Sequence, residues 1–232
     1  MSANADVLRG SEIFGTPQVT VQGENLCGTS DWNPEDFAYE QIRGLVRRVF
    51  FASGSQPVTQ VVFSAAEPHT DVASICDQVG QALALETSAH IAVVGRESRV
   101  GEIIRDRGCA ERAAIKSWST QTAVNLWRVP GFGLKERGEE SWTGRYWVSR
   151  LAELRYEFEY AVIHGPAAGM SSEAALLGQL TDGIILVLGA QSTRKASARK
   201  IKETLEAAQS RILGTVLSER RFPVPERIYR RL

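Results

Sequence analysis

Short apolar runs alternate with helix-period segments along most of this chain, and this alternation restricts its fold more than any other feature. The run at 183–188 consists of glycine and aliphatic residues at every position, which is typical of a strand buried on both faces of a parallel sheet. Parallel strands need long crossover connections, which helices provide. The sequence therefore predicts an α/β fold with a doubly wound, mostly parallel sheet and helices on both faces.

The expected elements can be placed by apolar period and by local start signals. Asn33 is a good helix N-cap, and Pro34 suits the first turn that follows it. We predict helices at 34–51, 70–85, 100–107, 140–155, 171–180 and 193–210, and strands at 60–64, 90–94, 123–129, 160–164, 183–188 and 212–217. Residues 1–33 are expected to form a flexible arm, 34–218 one α/β domain, and 219–232 a basic tail.

Composition narrows the functional class. Lys plus Arg and Asp plus Glu number 27 each, so no overall field attracts the chain to nucleic acid. The longest apolar runs reach about eight residues, well short of the roughly 20 that span a bilayer, and we expect a cytoplasmic protein without a signal peptide. Three cysteines without C-x-x-C spacing argue against a disulfide framework or a zinc site, and Cys76 is expected in the core.

Several blocks of the chain resemble the bacterial polysaccharide-biosynthesis tyrosine kinases, which are relatives of the MinD and ParA ATPases with a deviant Walker motif. The order and spacing of the blocks carry the resemblance, which covers about residues 33–232. The blocks are YEQIR at 39–43, VFSAAEP at 62–68, FEYAVI at 158–163, TDGIILV at 181–187 and LGTVL at 213–217. The resemblance implies a P-loop NTPase-like fold.

The resemblance also places a phosphate-binding loop directly after the first strand. Such a loop needs glycines to wrap an anion, a Lys for the β- and γ-phosphates and a hydroxyl for Mg²⁺. Aligned on Pro68, the glycine positions hold His69 and Asp71, the lysine position holds Val72 and the hydroxyl position holds Ala73. Thr70 lies between the two former glycines, and Ser74 lies one position too late to bind the metal, which suits an inward-facing or capping hydroxyl.

The magnesium-binding positions implied by the resemblance are altered as well. Where the family has two aspartates after the second strand, this chain has Gly95 and Glu97, and the Walker-B-type strand ends in His164. Imidazole is a poor ligand for Mg²⁺. We therefore expect no phosphoryl transfer and no bound cofactor, and the chain is interpreted as a pseudokinase.

Two alternatives stay open at this stage. A nucleotide-binding sensor, or a weak ATPase or tyrosine kinase of the same pathway, would hold ATP through backbone and base contacts. A repurposed metal site would use His69, Asp71 and His164, because the carboxyl ends of adjacent strands meet at one edge of the sheet.

The resemblance implies a role as an inactive scaffold or regulator in exopolysaccharide or capsule biosynthesis and export. The expected partner is the cytoplasmic part of an inner-membrane chain-length protein or an active kinase, which would place the chain at the inner membrane. A homo-oligomer stays open, although the family's E-x-x-R-x-x-R helix pattern is held here by Phe37, Glu40 and Arg43. Tyr229 is either a packed anchor or a phosphorylation site in the tail.

Two further surface features have alternative interpretations. The helix at 193–210 and the tail are basic, which predicts either a solvated face or a patch for anionic lipid or an acidic partner. Four tryptophans between the strands pack in the core or mark an interface. The basic residues are Arg194, Lys195, Arg199, Lys200, Lys202, Arg220, Arg221, Arg227, Arg230 and Arg231, and the tryptophans are Trp118, Trp127, Trp142 and Trp147.

Overall fold

The computed structural model describes residues 34–52, 57–96, 114–131 and 144–219. These residues form six helices and seven strands. The helices are α1 (Pro34–Phe50), α2 (Val72–Glu86), α3 (Ile115–Trp118), α4 (Gly144–Glu157), α5 (Glu173–Leu180) and α6 (Lys195–Ala207). The strands are β1 (Gln60–Ala65), β2 (Ile91–Val94), β3 (Thr120–Ala123), β4 (Leu126–Val129), β5 (Tyr160–His164), β6 (Gly183–Gly189) and β7 (Ile212–Ser218).

The strands form one sheet in the order β3-β4-β2-β5-β1-β6-β7. Every neighbouring pair is parallel except β3 and β4, which pair antiparallel. The predicted mostly parallel sheet is therefore confirmed. All six residues of β1 are buried, because β1 lies between β5 and β6 and both of its faces are covered by helices.

The two faces of the sheet carry separate apolar layers. One layer contains Val46 of α1 and Leu83 of α2, together with strand residues such as Phe63. The other contains residues of α3, α4, α5 and α6, including Leu154 and Leu205. Alternate residues of each strand point to opposite faces, so one strand contributes to both layers. Cys76 lies in the first layer at 1% exposure, as predicted.

The segment at 123–129 corrects one prediction. We expected one strand there, but the chain forms a hairpin in which β3 pairs with β4 across a turn at Val124 and Asn125. The Asn125 side chain stabilises this turn by donating to the carbonyls of Ala84 (3.2 Å) and Thr87 (2.7 Å). The short helix α3 was also not predicted. The expected helix at 100–107, the arm at 1–33 and the tail from 220 onward lie outside the described residues.

A polar network fixes the amino ends of β1 and β6 against α4. The Asp182 carboxylate accepts hydrogen bonds from the backbone amides of Thr59 (2.7 Å) and Gln60 (2.8 Å) and from Nη2 of Arg155 (2.7 Å). Burial alone would raise the pKa of Asp182, but these hydrogen bonds and the Thr59 hydroxyl outweigh it and lower the pKa. Gln60 is 1% exposed and donates to the Leu151 carbonyl (2.9 Å). The network satisfies polar groups that would otherwise be buried without partners.

Among the residues that the structure describes, no helix combines the length and the apolar character needed to cross a membrane.

Candidate functional site

The candidate site lies at the carboxyl edge of the sheet, where open α/β sheets bind their ligands. Strand β1 ends there and is followed by the loop at 66–71, which leads into α2. The neighbouring strands end at the same edge, since Phe63 is paired with His164 of β5 and Ala65 with Val187 of β6. The fold therefore places this loop where a phosphate-binding loop would lie.

Backbone amides of this loop and of the first turn of α2 are bonded to acceptors of the chain itself. Thr70 donates to the Glu67 carbonyl (3.3 Å), and Val72 donates to the Thr70 carbonyl (3.0 Å). The amide of Ser74 donates to Oδ1 of Asp71 (3.0 Å). A phosphate nest works because successive amides point at the anion and have no other acceptor. Here three such amides are occupied, that of Thr70 in the loop and those of Val72 and Ser74 in the first turn of α2.

Asp71 is the N-cap of α2, and its carboxylate lies at the positive end of the helix dipole. That is the position where an anionic phosphate would otherwise bind. A second negative charge brought there is repelled by the carboxylate. The sequence predicted that this helix begins at residue 70. It begins at Val72 instead, because Asp71 is its N-cap.

Val72 is the residue that the sequence resemblance aligns with a phosphate-binding lysine. It is 1% exposed and belongs to the apolar layer formed with α1 and α2. This position therefore contributes to the core and supplies no positive charge. Ala73, at the hydroxyl position, is exposed.

The loop that follows β5 packs directly against the end of β1. The Ala168 amide donates to the Ala65 carbonyl (2.8 Å), and the Ser64 hydroxyl donates to the Pro166 carbonyl (2.6 Å). At Gly169, a Cβ atom would lie 2.5 Å from the carbonyl oxygen of Ala66. A glycine is required at this position because the two loops approach so closely.

His164 ends β5 and is partly buried at this edge. Burial lowers the pKa of His164, the positive charge of Arg96 lowers it further, and the negative charge of Asp71 opposes both effects. The imidazole is therefore neutral at pH 7 and differs from a carboxylate in both charge and ligand type. Arg96 follows β2, and sequence reasoning did not single it out, since a lone arginine in a loop gives no pattern.

The remaining magnesium-binding positions show no metal-binding geometry among the described residues. The Gly95 amide donates to the Val129 carbonyl (2.9 Å) and extends the pairing of β2 with β4. Glu97 lies outside the described residues. The structure thus gives Gly95 a role in the sheet.

The described residues give no support to the alternative of a repurposed metal site. Among the described residues, which include all three candidates, no group of three His, Cys, Asp or Glu side chains is arranged to hold a metal ion. The carboxylate of Asp71 caps its own helix, and His69 is exposed in the loop. Ser74 does not cap the helix, because its hydroxyl accepts a hydrogen bond from Nε2 of Gln78 (3.1 Å).

The other residues singled out from the sequence have structural roles where they are described. Trp147 is buried, and Trp118 and Trp127 pack against the second apolar layer, which confirms core packing for these three. Trp142 and Tyr229 lie outside the described residues. Arg43 of α1 pairs with Glu86 of α2 (2.9 Å), so it joins the two helices.

The sequence comparisons find relatives over part of the chain. No protein-family profile matches it. Tyrosine-protein kinase CpsD of Streptococcus agalactiae serotype III is 30% identical over 74 residues, which is 32% of this chain and 32% of the kinase. Tyrosine-protein kinase YwqD of Bacillus subtilis is 29% identical over 76 residues, 31% of this chain and 32% of the kinase. The match thus spans about a third of the length of these curated relatives.

The structural comparisons cover more of the chain. The kinase domain of the Escherichia coli tyrosine kinase ETK superposes with a TM-score of 0.61 at 15% identity, over 90% of this chain and 88% of that domain. The chimerical protein CapA2B2 gives 0.61 at 17% identity, over 77% and 83% of the two chains. The cell division protein MinD of Aquifex aeolicus gives 0.51 at 13% identity, over 69% of each.

At these identities the structural likeness establishes the fold. The resemblance drawn from the sequence blocks is confirmed: about a third of the chain is similar in sequence to bacterial tyrosine-protein kinases, and the chain has the mostly parallel α/β fold of the ETK kinase domain and of MinD.

Proposed function

We propose that this chain is a catalytically inactive, kinase-like scaffold or regulatory protein of bacterial exopolysaccharide or capsule biosynthesis and export. One observation carries the proposal. At the place of the phosphate-binding loop, the amides of Thr70, Val72 and Ser74 are bonded within the chain, and the Asp71 carboxylate occupies the helix N-terminus.

The chemistry of phosphoryl transfer explains why this arrangement argues against catalysis. The reaction depends on positioning the phosphates and neutralising their charge with backbone amides, a lysine and Mg²⁺. Here the lysine position is the buried Val72, and the metal-binding position on β5 is the neutral His164. Each loss alone is expected to slow the reaction strongly, and they occur together.

The proposed partners follow from the kinship with tyrosine kinases. They are the cytoplasmic part of an inner-membrane chain-length or export protein, or an active kinase of the same system. Such a partner normally binds an active kinase. A protein that has the kinase fold and lacks the nucleotide chemistry could bind at the same place without hydrolysing ATP. Such docking would bring the chain to the inner membrane from the cytoplasm.

Isothermal titration calorimetry tests the inactive state directly. The full chain, freed of metal, is titrated with ATP and with ADP, in the presence and absence of Mg²⁺. We expect no heat of binding up to millimolar nucleotide. The kinase domain of an active relative in the same buffer is the positive control. Micromolar binding to this chain would overturn the inactive scaffold and make it a nucleotide sensor or a weak ATPase.

Partner binding needs a separate measurement. The full chain is mixed with a purified active kinase of a polysaccharide system, or with the cytoplasmic segment of its chain-length protein, and the mixture is analysed by analytical ultracentrifugation. A complex of defined stoichiometry supports the scaffold. Independent sedimentation of the components at micromolar concentrations contradicts it.

A further inference from the structure

Helix α6 carries its charges in an order that does not stabilise a helix. Its first half contains the cations Lys195, Arg199 and Lys200, Lys202 lies just past the middle, and its second half contains the acids Glu203 and Glu206. The helix dipole is positive at the amino end and negative at the carboxyl end, so this order places like charges together at both ends. The charge pattern therefore lowers the stability of the helix.

The remaining local contacts of α6 do little to compensate. Its N-cap, Arg194, makes no side-chain capping hydrogen bond. The pairs Arg199–Glu203 (3.8 Å) and Lys202–Glu206 (3.4 Å) are exposed, and both have the base on the amino side of the acid, the weaker order for a helix. The charges of α6 are therefore better explained by an interaction with another molecule than by the stability of the helix.

Three of these cations lie on one exposed face. Lys195, Arg199 and Lys202 are spaced by four and three residues, which places them in one row along the helix. The row is about 10 Å long at 1.5 Å per residue. Leu205, which is buried, and Ile201 hold the other side of the helix against the second apolar layer. The three cations are thus exposed on a packed helix, and Glu206, four residues after Lys202, continues the same row.

We propose that the face formed by Lys195, Arg199 and Lys202 is a docking surface for an acidic segment of a partner protein. This inference deepens the scaffold proposal by naming the surface through which the chain would be held. Charge complementarity supplies the attraction, since the three cations match carboxylates spaced along a helix or an extended chain.

The same features favour a protein partner over a membrane or nucleic acid. None of the exposed large hydrophobic residues in the described parts of the chain lies on α6, so a bilayer would be held by charge alone, at about 1 kcal/mol for each cation near its surface. The net charge of the chain is zero, which gives no long-range attraction to DNA.

Fluorescence anisotropy with a fluorescein-labelled peptide rich in Glu and Asp tests the surface. The full chain is compared with the triple variant K195Q/R199Q/K202Q. The control R48Q/K200Q/R211Q removes the same number of exposed positive charges away from the row. We expect the wild type and the control to bind and the row variant to bind at least about tenfold more weakly, with affinity falling as salt rises.

The melting temperatures separate a lost surface from a lost fold. Removing cations from the amino half of α6 relieves repulsion by the helix dipole, so the row variant is expected to melt at or above the wild-type temperature. Equal weakening by both triple variants, or no peptide binding to the wild type, would overturn the proposal. So would preferential binding to phosphatidylserine-containing vesicles or to duplex DNA.

The two proposals fail separately. Nucleotide binding in the calorimeter would overturn the inactive scaffold and would not affect the result of the peptide experiment. Failure of the peptide experiment removes this surface and leaves the nucleotide result standing.

Discussion

Single side chains at the carboxyl edge of the sheet make bonds within the chain where a kinase relative would contact nucleotide. Asp71 caps α2 through the Ser74 amide, and Ser64 bonds to the loop after β5. Capping by an Asp is worth about 1 kcal/mol of helix stability. These two side chains thus stabilise the fold at this edge of the sheet, and their polar atoms are engaged within the chain.

His164 gives a pH-dependent prediction at this scale. Its pKa is lowered in the folded protein because the ring is partly buried and lies near the positive charge of Arg96. The unfolded chain therefore binds a proton at His164 more readily than the folded chain does. The stability that the neutral ring contributes is present above a pH of about 6.5, the usual pKa of histidine, and it is lost as the pH falls through the folded-state pKa. We expect His164→Gln to reduce the loss of unfolding free energy between about pH 7 and about pH 5.

Urea denaturation at a series of pH values measures this effect. The matched control is His69→Gln, which removes an exposed imidazole from the loop after β1. Equal slopes for both variants would show that the burial of His164 does not set its protonation.

At the residue scale the sequence aligns Val72 and His164 with positions where the resemblance implies a lysine and an aspartate, and this alignment stays a prediction. Nothing in the sequence indicated that amides of the loop and of the first turn of α2 are bonded within the chain, since backbone hydrogen bonds in an irregular loop follow from dihedral angles that no residue pattern specifies. The capping role of the Asp71 side chain was not predicted either, because the sequence does not fix the direction of that side chain.

At the scale of elements, close packing of α2 on β2 depends on a glycine. A Cβ atom at Gly80 would collide with Cγ2 of Val93 and would lie 3.4 Å from Cδ1 of Leu126. Val93 and Leu126 are themselves buried, so neither can move away freely. The glycine therefore allows the helix to approach the sheet, at some cost in helix propensity.

We expect Gly80→Ala to lower the free energy of unfolding by about 1–3 kcal/mol, the range typical of overpacking a core. Gly44→Ala in α1 is the matched control, because a Cβ atom there meets nothing within 4 Å. That change should stabilise the protein by up to about 1 kcal/mol through helix propensity. Urea unfolding of both variants checks the pair, and effects of the same sign would contradict the packing argument.

Strong apolar periodicity explains which elements were predictable. The buried strands β1, β5 and β6 stand out as apolar runs between turn residues, and α2 has a clear helical period. The strand β3 has none of these signals, because Thr120, Gln121 and Thr122 are polar and exposed at the edge of the sheet. Its pairing with β4 depends on tertiary position, which overrides local propensity.

At the scale of the whole molecule, the chain has the sheet and the crossover helices of a P-loop-type fold. The fold is held by two apolar layers and by the Asp182 network, and none of these passes through the loop at 66–71. Val72, the first residue of α2 after this loop, belongs to the first layer. The architecture should therefore tolerate a restored phosphate loop at a limited cost in stability.

The variant H69G/D71G/V72K/A73S tests this separation of fold and site. It frees the Ser74 amide, removes the Asp71 carboxylate, supplies a lysine and lets glycines rearrange the loop, so we expect it to gain binding of ATP and ADP in calorimetry. It should hydrolyse little nucleotide, because Gly95 and His164 still offer no carboxylate for Mg²⁺. Losing the buried Val72 side chain and the cap should reduce the unfolding free energy by about 2–4 kcal/mol.

Asp71→Asn is the control for charge alone, since Asn caps a helix about as well as Asp and keeps the Ser74 amide occupied. This variant should remain unable to bind nucleotide. If it binds, the carboxylate charge was the main barrier, and the bonded amides matter less than we infer. Circular dichroism shows whether the four-residue variant is folded. If it is folded and still binds no nucleotide, the four substituted residues are not the only barrier to binding. The close packing of the loop after β5 against Ala65 and Ala66 would then also exclude nucleotide.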